Sequence, residues 1–329
     1  MSVSRAKRLG AVVVTSNRLD QLKVTVTNLL GHAPALLEAL IVVDNASTDG
    51  TADWLSEIQD DRLKVISLEQ NTGGAGGFAV GLKALQGMGC WGVVMDDDAR
   101  PLSGSLQAFQ DMDVEGSDAV GAAVLLPGGA VSDMNRPSIN PFGNLPAFLR
   151  TAVKGREGFH LQPSAYEPSA PIRSVDVASF VGLFLSPAAI LQTPLPDPRL
   201  FLYADDALYT LALRKAGGKI AFAPAIRFEH DCRTLGPGRR LTPLWKVYYF
   251  TRNQLLMRKA AAGVFFWILL PLLAFGAWRG LSAYEEDRPV AKQLTVLAWR
   301  DALSGNLNRT RSDVDQRVSG SSPQAHSGA

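Results

Sequence analysis

The chain has 329 residues, of which 47% are hydrophobic and 19% are charged, and its formal net charge at pH 7 is +2. This composition is typical of a globular protein with a sizeable core, and the small net charge does not favour a nucleic-acid partner. The two cysteines, Cys90 and Cys232, form no disulfide framework, which fits a reducing compartment. Because the apolar run 11–14 is shorter than the about 7–15 residues of a signal peptide, we expect a cytoplasmic catalytic part.

The first hundred residues alternate between short apolar runs and segments with helical spacing. Continuous β-branched runs predict strands at Leu9–Thr15, 39–43, 63–68 and 91–95. A helix is predicted at Leu19–Leu30, and the glycine-rich segment 73–77 leads into another helix that ends near Leu85. This alternation predicts an α/β fold, in which a Rossmann-like, mostly parallel sheet is flanked by helices.

The remainder of the chain gives weaker signals. Residues 127–171 are rich in Pro, Gly and Asn and resemble loops, without elements that the pattern can place. Later elements are predicted as strands at 174–185, 220–223 and 226–230 and as a helix at 205–216, with helical spacing again from Leu241. We therefore expect a catalytic domain at 1–240, a helical region at 241–305 and a polar, disordered tail at 306–329, most clearly from Arg309.

Four aspartates follow predicted strands. Asp44 ends the second strand, and Asp96, Asp97 and Asp98 end the fourth. In parallel sheets, ligands bind outside the carboxyl ends of the strands, so these acids are expected in one crevice. Adjacent carboxylates repel one another unless a cation or a proton relieves them, and hard oxygen ligands suit Mn²⁺ or Mg²⁺. The alternative is a solvated acidic turn.

The segment 74–79 fits the pattern G-x-G-x-x-A of a dinucleotide-binding turn, and Asp96 follows about 20 residues later. However, that fingerprint belongs to the first turn between a strand and a helix, whereas this match follows the third predicted strand. We expect the glycines to allow close approach of the backbone to a ligand or to a neighbouring loop.

Two further places carry titratable groups. His230 ends a short predicted strand, where it is either a structural histidine or a third ligand for a metal held by Asp96 and Asp98. Asp205 and Asp206 open a predicted helix, where acids complement the helix dipole or supply a general base aimed into the crevice. Spacing alone leaves both alternatives open.

The segment 260–278 contains no charged residue, is preceded by Arg258 and Lys259 and is followed by Arg279. Its length just reaches the about 20 residues that span a bilayer, and Pro271 lies inside it. Cations on both sides give no orientation signal. A buried helix and a membrane-contacting segment, interfacial or re-entrant, fit about equally well, and a true span fits less well. We expect peripheral contact with the cytoplasmic face of the membrane.

Several motifs together resemble glycosyltransferase family 2, the inverting enzymes of the GT-A fold. The resemblance is carried, in this order, by V-V-T-S-N-R at 13–18, V-D-N-A-S-T-D-G-T at 43–51, N-T-G-G-A-G-G-F at 71–78, M-D-D-D-A at 95–99, Asp205-Asp206 and His230. Their order and spacing cover about residues 9–232. The glycine-rich form followed by three aspartates is similar to the galactofuranosyl- and rhamnosyltransferase branch.

The resemblance implies a role for each matching residue. The nucleotide-sugar donor would be bound by Thr15, Arg18, Asp44, Asn71, Gly74 and Asp97, with Asp44 on the base and Asp97 facing the ribose or sugar. Asp96, Asp98 and His230 would hold Mn²⁺ or Mg²⁺. Asp206 would be the catalytic base. The pair Asp205-Asp206 stands where the family more often has Glu-Asp, which is a mild departure.

A segment after the catalytic domain also resembles the family. Tyr248-Tyr249 and Arg252-Asn253 carry this similarity, and we expect Tyr249, Arg252 and Asp205 to contact the acceptor or the diphosphate. The implied reaction transfers galactofuranose or rhamnose from a UDP- or dTDP-sugar to a glycan or polyprenyl-linked acceptor, with inversion, in cell-envelope polysaccharide synthesis.

Three other functions fit parts of the pattern. A sugar nucleotidyltransferase shares the α/β scaffold and a metal-diphosphate site, but it releases pyrophosphate. A nicotinamide-dependent oxidoreductase rests only on the glycine match. A non-catalytic family member that acts as a scaffold would tolerate loss of Asp206.

Overall fold

A computed structural model describes residues 7–231 and 240–319 of the chain. These residues form two compact units, one made of Met1–Pro198 and Asp205–Cys232 and the other of Arg199–Ala204 and Arg233–Ala329, apart from the residues outside the described ranges. Cys232 and residues 320–329 lie outside those ranges. We refer to the two as unit 1 and unit 2.

Unit 1 contains one nine-stranded sheet with the order β3-β2-β1-β4-β8-β6-β9-β5, and β7 pairs with β9. The strands are β1 (Leu9–Thr15), β2 (Ala39–Asp44), β3 (Leu63–Ser67), β4 (Trp91–Asp96), β5 (Ala99–Pro101), β6 (Ala119–Leu125), β7 (Arg173–Val175), β8 (Leu183–Leu185) and β9 (Ile220–His230). The α-helices of unit 1 are α1 (Leu19–Leu30), α2 (Thr51–Ser56), α3 (Gly73–Gln86), α4 (Ser105–Asp111), α5 (Leu145–Lys154), α6 (Pro187–Gln192) and α7 (Asp205–Lys215).

The first four predicted strands are confirmed, and they form the parallel half of the sheet. β2 pairs with β1 and β3, and β1 pairs with β4, all in parallel. Every residue of β1 is buried, because Val12 and Val14 enter the core on one face while Ala11 and Val13 enter the core on the other. Burial on both faces explains why this strand reads as a continuous apolar run.

The second half of the sheet departs from the predicted mostly parallel arrangement. β8 pairs antiparallel with β4 and β6, while β9 pairs parallel with β6 and antiparallel with β5 and β7. The single strand predicted at 174–185 is therefore wrong, because β7 and β8 pair with different partners. The two strands predicted around Pro224 are one strand, β9, with a register shift that accommodates the interruption.

Unit 2 is helical in its described part, with α8 (Trp245–Ala262), α9 (Phe266–Gly280), α10 (Arg288–Ser304) and α11 (Arg311–Ser319). Its core combines Tyr248 and Tyr249 of α8 with Leu294 of α10. Val314 of α11 joins the same core and is fully buried. The disorder predicted from Arg309 onward is therefore wrong as far as residue 319, since burial of one valine is a tertiary contact that a polar sequence does not reveal.

The helical run from Trp245 to Ser304 is long and apolar enough to cross a membrane, by length and composition. Its most apolar window has a mean hydropathy of 2.1, and 11% of that window is buried. The run is not continuous α-helix. Gly263, with φ +54°, ends α8, and Glu285 lies in a kink before α10.

Candidate functional site

The candidate site lies at the carboxyl edge of the parallel strands in unit 1. Thr15 ends β1 and pairs in register with Asp44, which ends β2. Asp96 ends β4 and pairs with Val14 of β1. The strand ends therefore reach the same edge of the sheet, as the alternation of strands and helices predicts.

Antiparallel pairing brings His230 to the aspartate triplet. After a turn at Asp97 and Asp98 the chain enters β5, where Ala99 pairs with His230 of β9. The amide of Asp231 donates to the carbonyl oxygen of Asp98 at 3.0 Å, which holds the two chain segments together. The long separation between the triplet and His230 in the sequence is thus closed by a strand pair.

Asp96, Asp98 and His230 form a possible metal site. One ligand atom from each residue lies within 4.8 Å of the others, and Asp98 and His230 are buried whereas Asp96 is partly exposed. Ligands of an octahedral ion at about 2.1 Å lie roughly 3–4 Å apart, so a small contraction suits Mn²⁺ or Mg²⁺.

The hydrogen bonding of this cluster is also consistent with a bound cation. Asp98 Oδ1 is buried and, among the residues that the structure describes, has no hydrogen-bond donor, although His230 Nε2 lies 3.1 Å away. Asp97 Oδ1 likewise accepts no well-aligned hydrogen bond from the described residues, although Arg18 Nη1 lies 3.1 Å away. Buried carboxylate oxygens without donors are the positions that a cation would satisfy.

The ring of His230 is oriented by Asn135. His230 Nδ1 lies 2.9 Å from Asn135 Oδ1, which also accepts a hydrogen bond from the Ser132 hydroxyl at 2.7 Å. With its Nδ1 proton directed at this oxygen, the imidazole presents Nε2 to Asp98 and, when neutral, a lone pair to a cation. This is how the outer partner of a metal-binding histidine usually fixes its tautomer.

Thr15 and Arg18 contact the acidic triplet. The Thr15 hydroxyl donates to Asp97 Oδ2 at 2.8 Å. Arg18 lies 3.1 Å from Asp97 Oδ1 and 2.7 Å from Asp98 Oδ2 through its two terminal nitrogens. Asp97 is only 3% exposed, so the predicted contact between Asp97 and the donor is not available in this arrangement and needs Asp97 to exchange a partner.

Burial sets the ionisation of the triplet. Burial raises the pKa of Asp96 to about 6 against the attraction of His230, and it raises the pKa of Asp97 to about 7 against Arg18. Burial acts on Asp98 in the same sense, but the contacts with His230 and Arg18 outweigh it and hold the pKa of Asp98 below its usual value.

The histidine responds in the opposite sense. Burial disfavours charged His230, but the contact of its Nε2 with Asp98 at 3.1 Å and the nearby Asp96 carboxylate raise its pKa above the usual value. The pair of anionic Asp98 and protonated His230 is therefore favoured without a metal, and metal binding must displace the His230 proton.

Asp205 and Asp206 share this acidic environment. They begin α7, and the amide of Ala207 donates to Asp206 Oδ1 at 2.6 Å. Burial raises the pKa of both carboxyls, and the Asp206 charge and then Asp96 raise that of Asp205 further. Asp206 in turn raises the pKa of Asp96. The second acidic motif therefore lies close enough to the first for their charges to interact.

Asp44 and Asn71 lie at the ends of neighbouring elements. Asp44 is 3% exposed, and its Oδ1 accepts from the amide of Ser47 at 3.0 Å. Asn71 accepts from the amide of Gly73 and donates to Ser16 Oγ at 2.9 Å. Neither contact tests their predicted role in donor binding.

The predicted helix ending near Leu85 is present as α3, and it begins at Gly73, so that it includes the glycine-rich segment. Gly74 occupies the first turn of α3, which leaves its predicted role in donor binding untested. A Cβ atom on Gly77 would lie 2.4 Å from Val14 Cγ1, and one on Gly81 would lie 2.3 Å from Val12 Cγ1. These glycines therefore let α3 pack closely on β1. This packing accounts for the apparent dinucleotide fingerprint without a nicotinamide cofactor.

Tyr249 and Arg252 are buried within unit 2. Both belong to α8 in unit 2, where they are 1% and 0% exposed. Arg252 Nη2 donates to the carbonyls of Arg199 at 2.8 Å and Leu200 at 3.1 Å. The predicted direct contact with an acceptor or diphosphate does not fit this burial, and the two residues stabilise unit 2.

Three residues of the site were missed by the sequence patterns. Asn135 lies in the segment whose elements could not be placed. Thr25 lies within the apolar stripe of α1, and its hydroxyl donates to the carbonyl oxygen of Asp97 at 2.6 Å. Asn45 joins the end of β2 to the start of α3 through Gly73 and Thr72. The one available signal was the polar Thr25 on an otherwise apolar face.

Comparison with known proteins identifies the class of domain. Residues 11–165 match the family described as Glycosyl transferase family 2. Residues 11–165 thus match a family 2 glycosyltransferase domain, in agreement with the resemblance at that level. Its galactofuranosyl- or rhamnosyltransferase branch stays a prediction.

One curated relative is the "Succinoglycan biosynthesis protein ExoO" of Rhizobium meliloti (strain 1021). It is 27% identical over 162 residues, which cover 46% of this chain and 44% of the relative. The chain therefore spans less than half the length of this curated relative.

Two solved structures are similar in fold. The crystal structure of GalNAc-T7 with UDP, GalNAc and Mn²⁺ has a TM-score of 0.55 at 12% identity, covering 78% of this chain and 48% of that one. The crystal structure of S. aureus TarS 1-349 in complex with UDP-GlcNAc has a TM-score of 0.51 at 15% identity, covering 95% and 92%. These similarities confirm the predicted GT-A fold class.

Proposed function

We propose that the protein is a family 2 glycosyltransferase that moves a sugar from a nucleotide-diphosphate donor to a glycan or lipid-linked acceptor in polysaccharide synthesis. The observation that carries this proposal is the cluster of Asp96, Asp98 and His230 with Asp206 nearby, at the carboxyl edge of the sheet. A metal site beside a second, separately positioned carboxylate suits transfer from a diphosphate donor. The ExoO name and the family match support the same class.

The cation site would be formed by Asp96, Asp98 and His230, with Mn²⁺ or Mg²⁺ as the ion. When bound, the cation would stabilise negative charge on the leaving diphosphate. Asn135 keeps His230 Nε2 directed at the site, and Thr25 holds the backbone of the triplet. Arg18, which pairs with Asp97 and Asp98, has a guanidinium group that would suit the donor phosphates.

Asp206 would act as the base. A sugar hydroxyl is a poor nucleophile, and a carboxylate that accepts its proton as the new bond forms makes attack on the anomeric carbon easier. Burial raises the pKa of Asp206, which makes it a stronger base than an exposed aspartate. One displacement with one base inverts the anomeric centre.

The donor is proposed to carry galactofuranose or rhamnose on UDP or dTDP. The support is the N-T-G-G-A-G-G-F segment followed by three aspartates, together with Asp-Asp at 205–206. The relatives with bound nucleotides do not narrow this choice, because their identities are too low to carry specificity.

The test begins with a thermal-shift screen of UDP- and dTDP-sugars with and without Mn²⁺. A stabilising donor is then used in a transfer assay with Asp206→Asn, whose side chain keeps the shape but cannot accept a proton. We expect donor binding to persist and transfer to fall by at least about a hundredfold. Asp53→Asn, on the exposed side of α2, is the matched control.

Two results would overturn this proposal. Normal turnover by Asp206→Asn would exclude Asp206 as the base, whereas absence of transfer by the unsubstituted chain from any donor that it binds would favour a non-catalytic scaffold. Release of pyrophosphate from a nucleoside triphosphate, in place of a nucleoside diphosphate from its sugar, would identify a nucleotidyltransferase.

A further inference from the structure

Helix α9 exposes an unusual set of large apolar side chains. Of its residues, all of which the structure describes, Phe266 is the one that is buried. Ile268 is 76% exposed and Leu272 is 67% exposed. We define the α9 face as these two residues together with Phe265, Trp267, Phe275 and Trp278, each more than half exposed.

The α9 face is too large to be an ordinary part of a soluble surface. Aromatic side chains each bury about 150–250 Å² when covered, so six large side chains that are more than half exposed present roughly 600 Å². Contiguous patches of this size on a monomer usually mark an interaction site. The face therefore needs a partner with an apolar surface.

The charges around the α9 face indicate the chemistry of that partner. Lys259 Nζ lies 5.7 Å from the centre of the Trp267 ring, and the Arg279 guanidinium lies 6.0 Å from the Phe275 ring. No charged residue interrupts 260–278, and the residues that flank this segment are cations. Apolar surface bordered by cations and tryptophans complements an anionic lipid surface, with its acyl chains inside and its phosphates at the boundary.

The dimensions of α9 favour a helix that lies in the membrane surface. Its 15 residues are about 22 Å long at about 1.5 Å per residue, short of the about 30 Å of a bilayer core. The break at Gly263 separates α9 from α8, so the two do not form one longer rod. We propose that α9 binds an anionic membrane in the plane of its surface, with the α9 face at the boundary between headgroups and acyl chains.

Helix α5 in unit 1 has the same chemistry independently. Only Ala147 of this fully described helix is buried, while Leu145, Leu149 and Val153 are exposed at four-residue intervals. The helix contains Arg150 and Lys154 and no acid. An amphipathic helix whose apolar side is open and whose charges are all positive also suits an anionic lipid surface, and we assign α5 as a separate membrane contact.

The experiment is vesicle co-sedimentation of the full chain. Vesicles of equal parts phosphatidylcholine and phosphatidylglycerol should bind the protein, and pure phosphatidylcholine should bind it weakly. Ile268→Asn with Leu272→Asn should weaken binding roughly tenfold or more per side chain, because each loses the burial of an aliphatic group. Val296→Asn, which changes an exposed valine of α10, is the matched control and should bind normally.

Two further variants separate the contributions. Lys259→Gln with Arg279→Gln should lower binding to the anionic vesicles by about fivefold per charge, with little effect on pure phosphatidylcholine. Leu149→Asn with Val153→Asn tests α5 by itself and should also weaken binding. All substituted side chains are exposed, and circular dichroism with thermal melting verifies that each variant is folded.

Several results would overturn the proposal. Absence of vesicle binding, or equal binding by the Ile268 and Leu272 variant, would exclude the α9 face as the contact. Self-association that this variant abolishes, without vesicle binding, would assign the face to a second copy of the chain. Resistance to alkaline extraction would indicate a true span. Because the α9 face shares no residue with the aspartate site, failure here would leave the prediction of donor binding and transfer to a soluble acceptor unchanged.

Discussion

Metal binding should be coupled to pH in a way that the aspartate cluster determines. Asp96 has a pKa of about 6, raised by burial, and His230 also has a raised pKa. Both must lose a proton to bind a cation. We therefore expect Mn²⁺ to stabilise the protein more strongly near pH 7.5 than near pH 5.

The magnitude follows from the titration of Asp96. At about pH 5, one unit below a pKa of about 6, roughly a tenth of this group is ionised, so the apparent affinity falls about tenfold, or about 1.4 kcal/mol. Mn²⁺ at about 100 times its dissociation constant contributes about 2.7 kcal/mol, and a tenfold weaker constant halves this. For a unit of this size the rise in Tm should be roughly 5–10 °C at the higher pH and about half of that at the lower. Protonation of His230 lowers the Mn²⁺-induced rise in Tm at the lower pH further.

In the metal-free protein, the Asp96 contribution to stability changes with pH in the opposite direction. A carboxyl whose folded pKa lies above its unfolded pKa stabilises the fold through its protonated form, so this contribution is lost as pH rises from about 4 to about 6. Metal-free Tm should therefore change little or fall over the range in which the effect of Mn²⁺ grows.

Differential scanning fluorimetry with and without Mn²⁺ measures both effects. Asp98→Asn should abolish the shift at either pH, while Asp53→Asn should retain it. An Mn²⁺ shift that is the same at both pH values, or that survives in Asp98→Asn, would refute the assignment of this cluster as the metal site.

Three other predictions follow from the contacts described. Burial, and not a charge on Asp205, raises the pKa of Asp206, so Asp205→Asn should leave the acid limb of the pH-rate profile in place; loss of that limb in this variant would show that Asp205 is the titrating base. Gly77→Ala places a Cβ 2.4 Å from Val14 Cγ1, and the strain of about 1–3 kcal/mol should exceed the helix gain of about 1 kcal/mol, as measured by urea unfolding. Asn253→Ala removes a buried amide that donates to carbonyls of Leu200 and Tyr203 and should destabilise the protein by about 1–3 kcal/mol in the same assay.

Gly87→Ala is the matched control for Gly77→Ala. Gly87 ends α3 with φ −73°, and its nearest neighbour to an added Cβ lies at 3.8 Å. Alanine there should be neutral or stabilise by up to about 1 kcal/mol. Equal stability of the two variants would mean that α3 does not depend on close packing against β1.

The sequence by itself determined the parallel half of the sheet and the placement of its acids. Because β1 and β2 are buried on both faces, they are continuous apolar runs. Local patterns of this kind are visible in the sequence itself. Since parallel strands end at a common edge, the order of strands and helices is enough to assign Asp44 and Asp96 to one crevice. The family match at 11–165 covers much of this same part.

Only the tertiary structure decided which side chains meet. The hydrogen bond from His230 to Asn135 joins residues from two distant segments, and neither segment carries a local signal for the other. Arg252 resembled a ligand-binding residue, but it is fully buried and donates to backbone carbonyls. Pairing between segments far apart in the chain depends on strand register and packing, and short-range periodicity does not encode either. The aspartate triplet was therefore predictable from the sequence, while the surrounding residues that orient it were not.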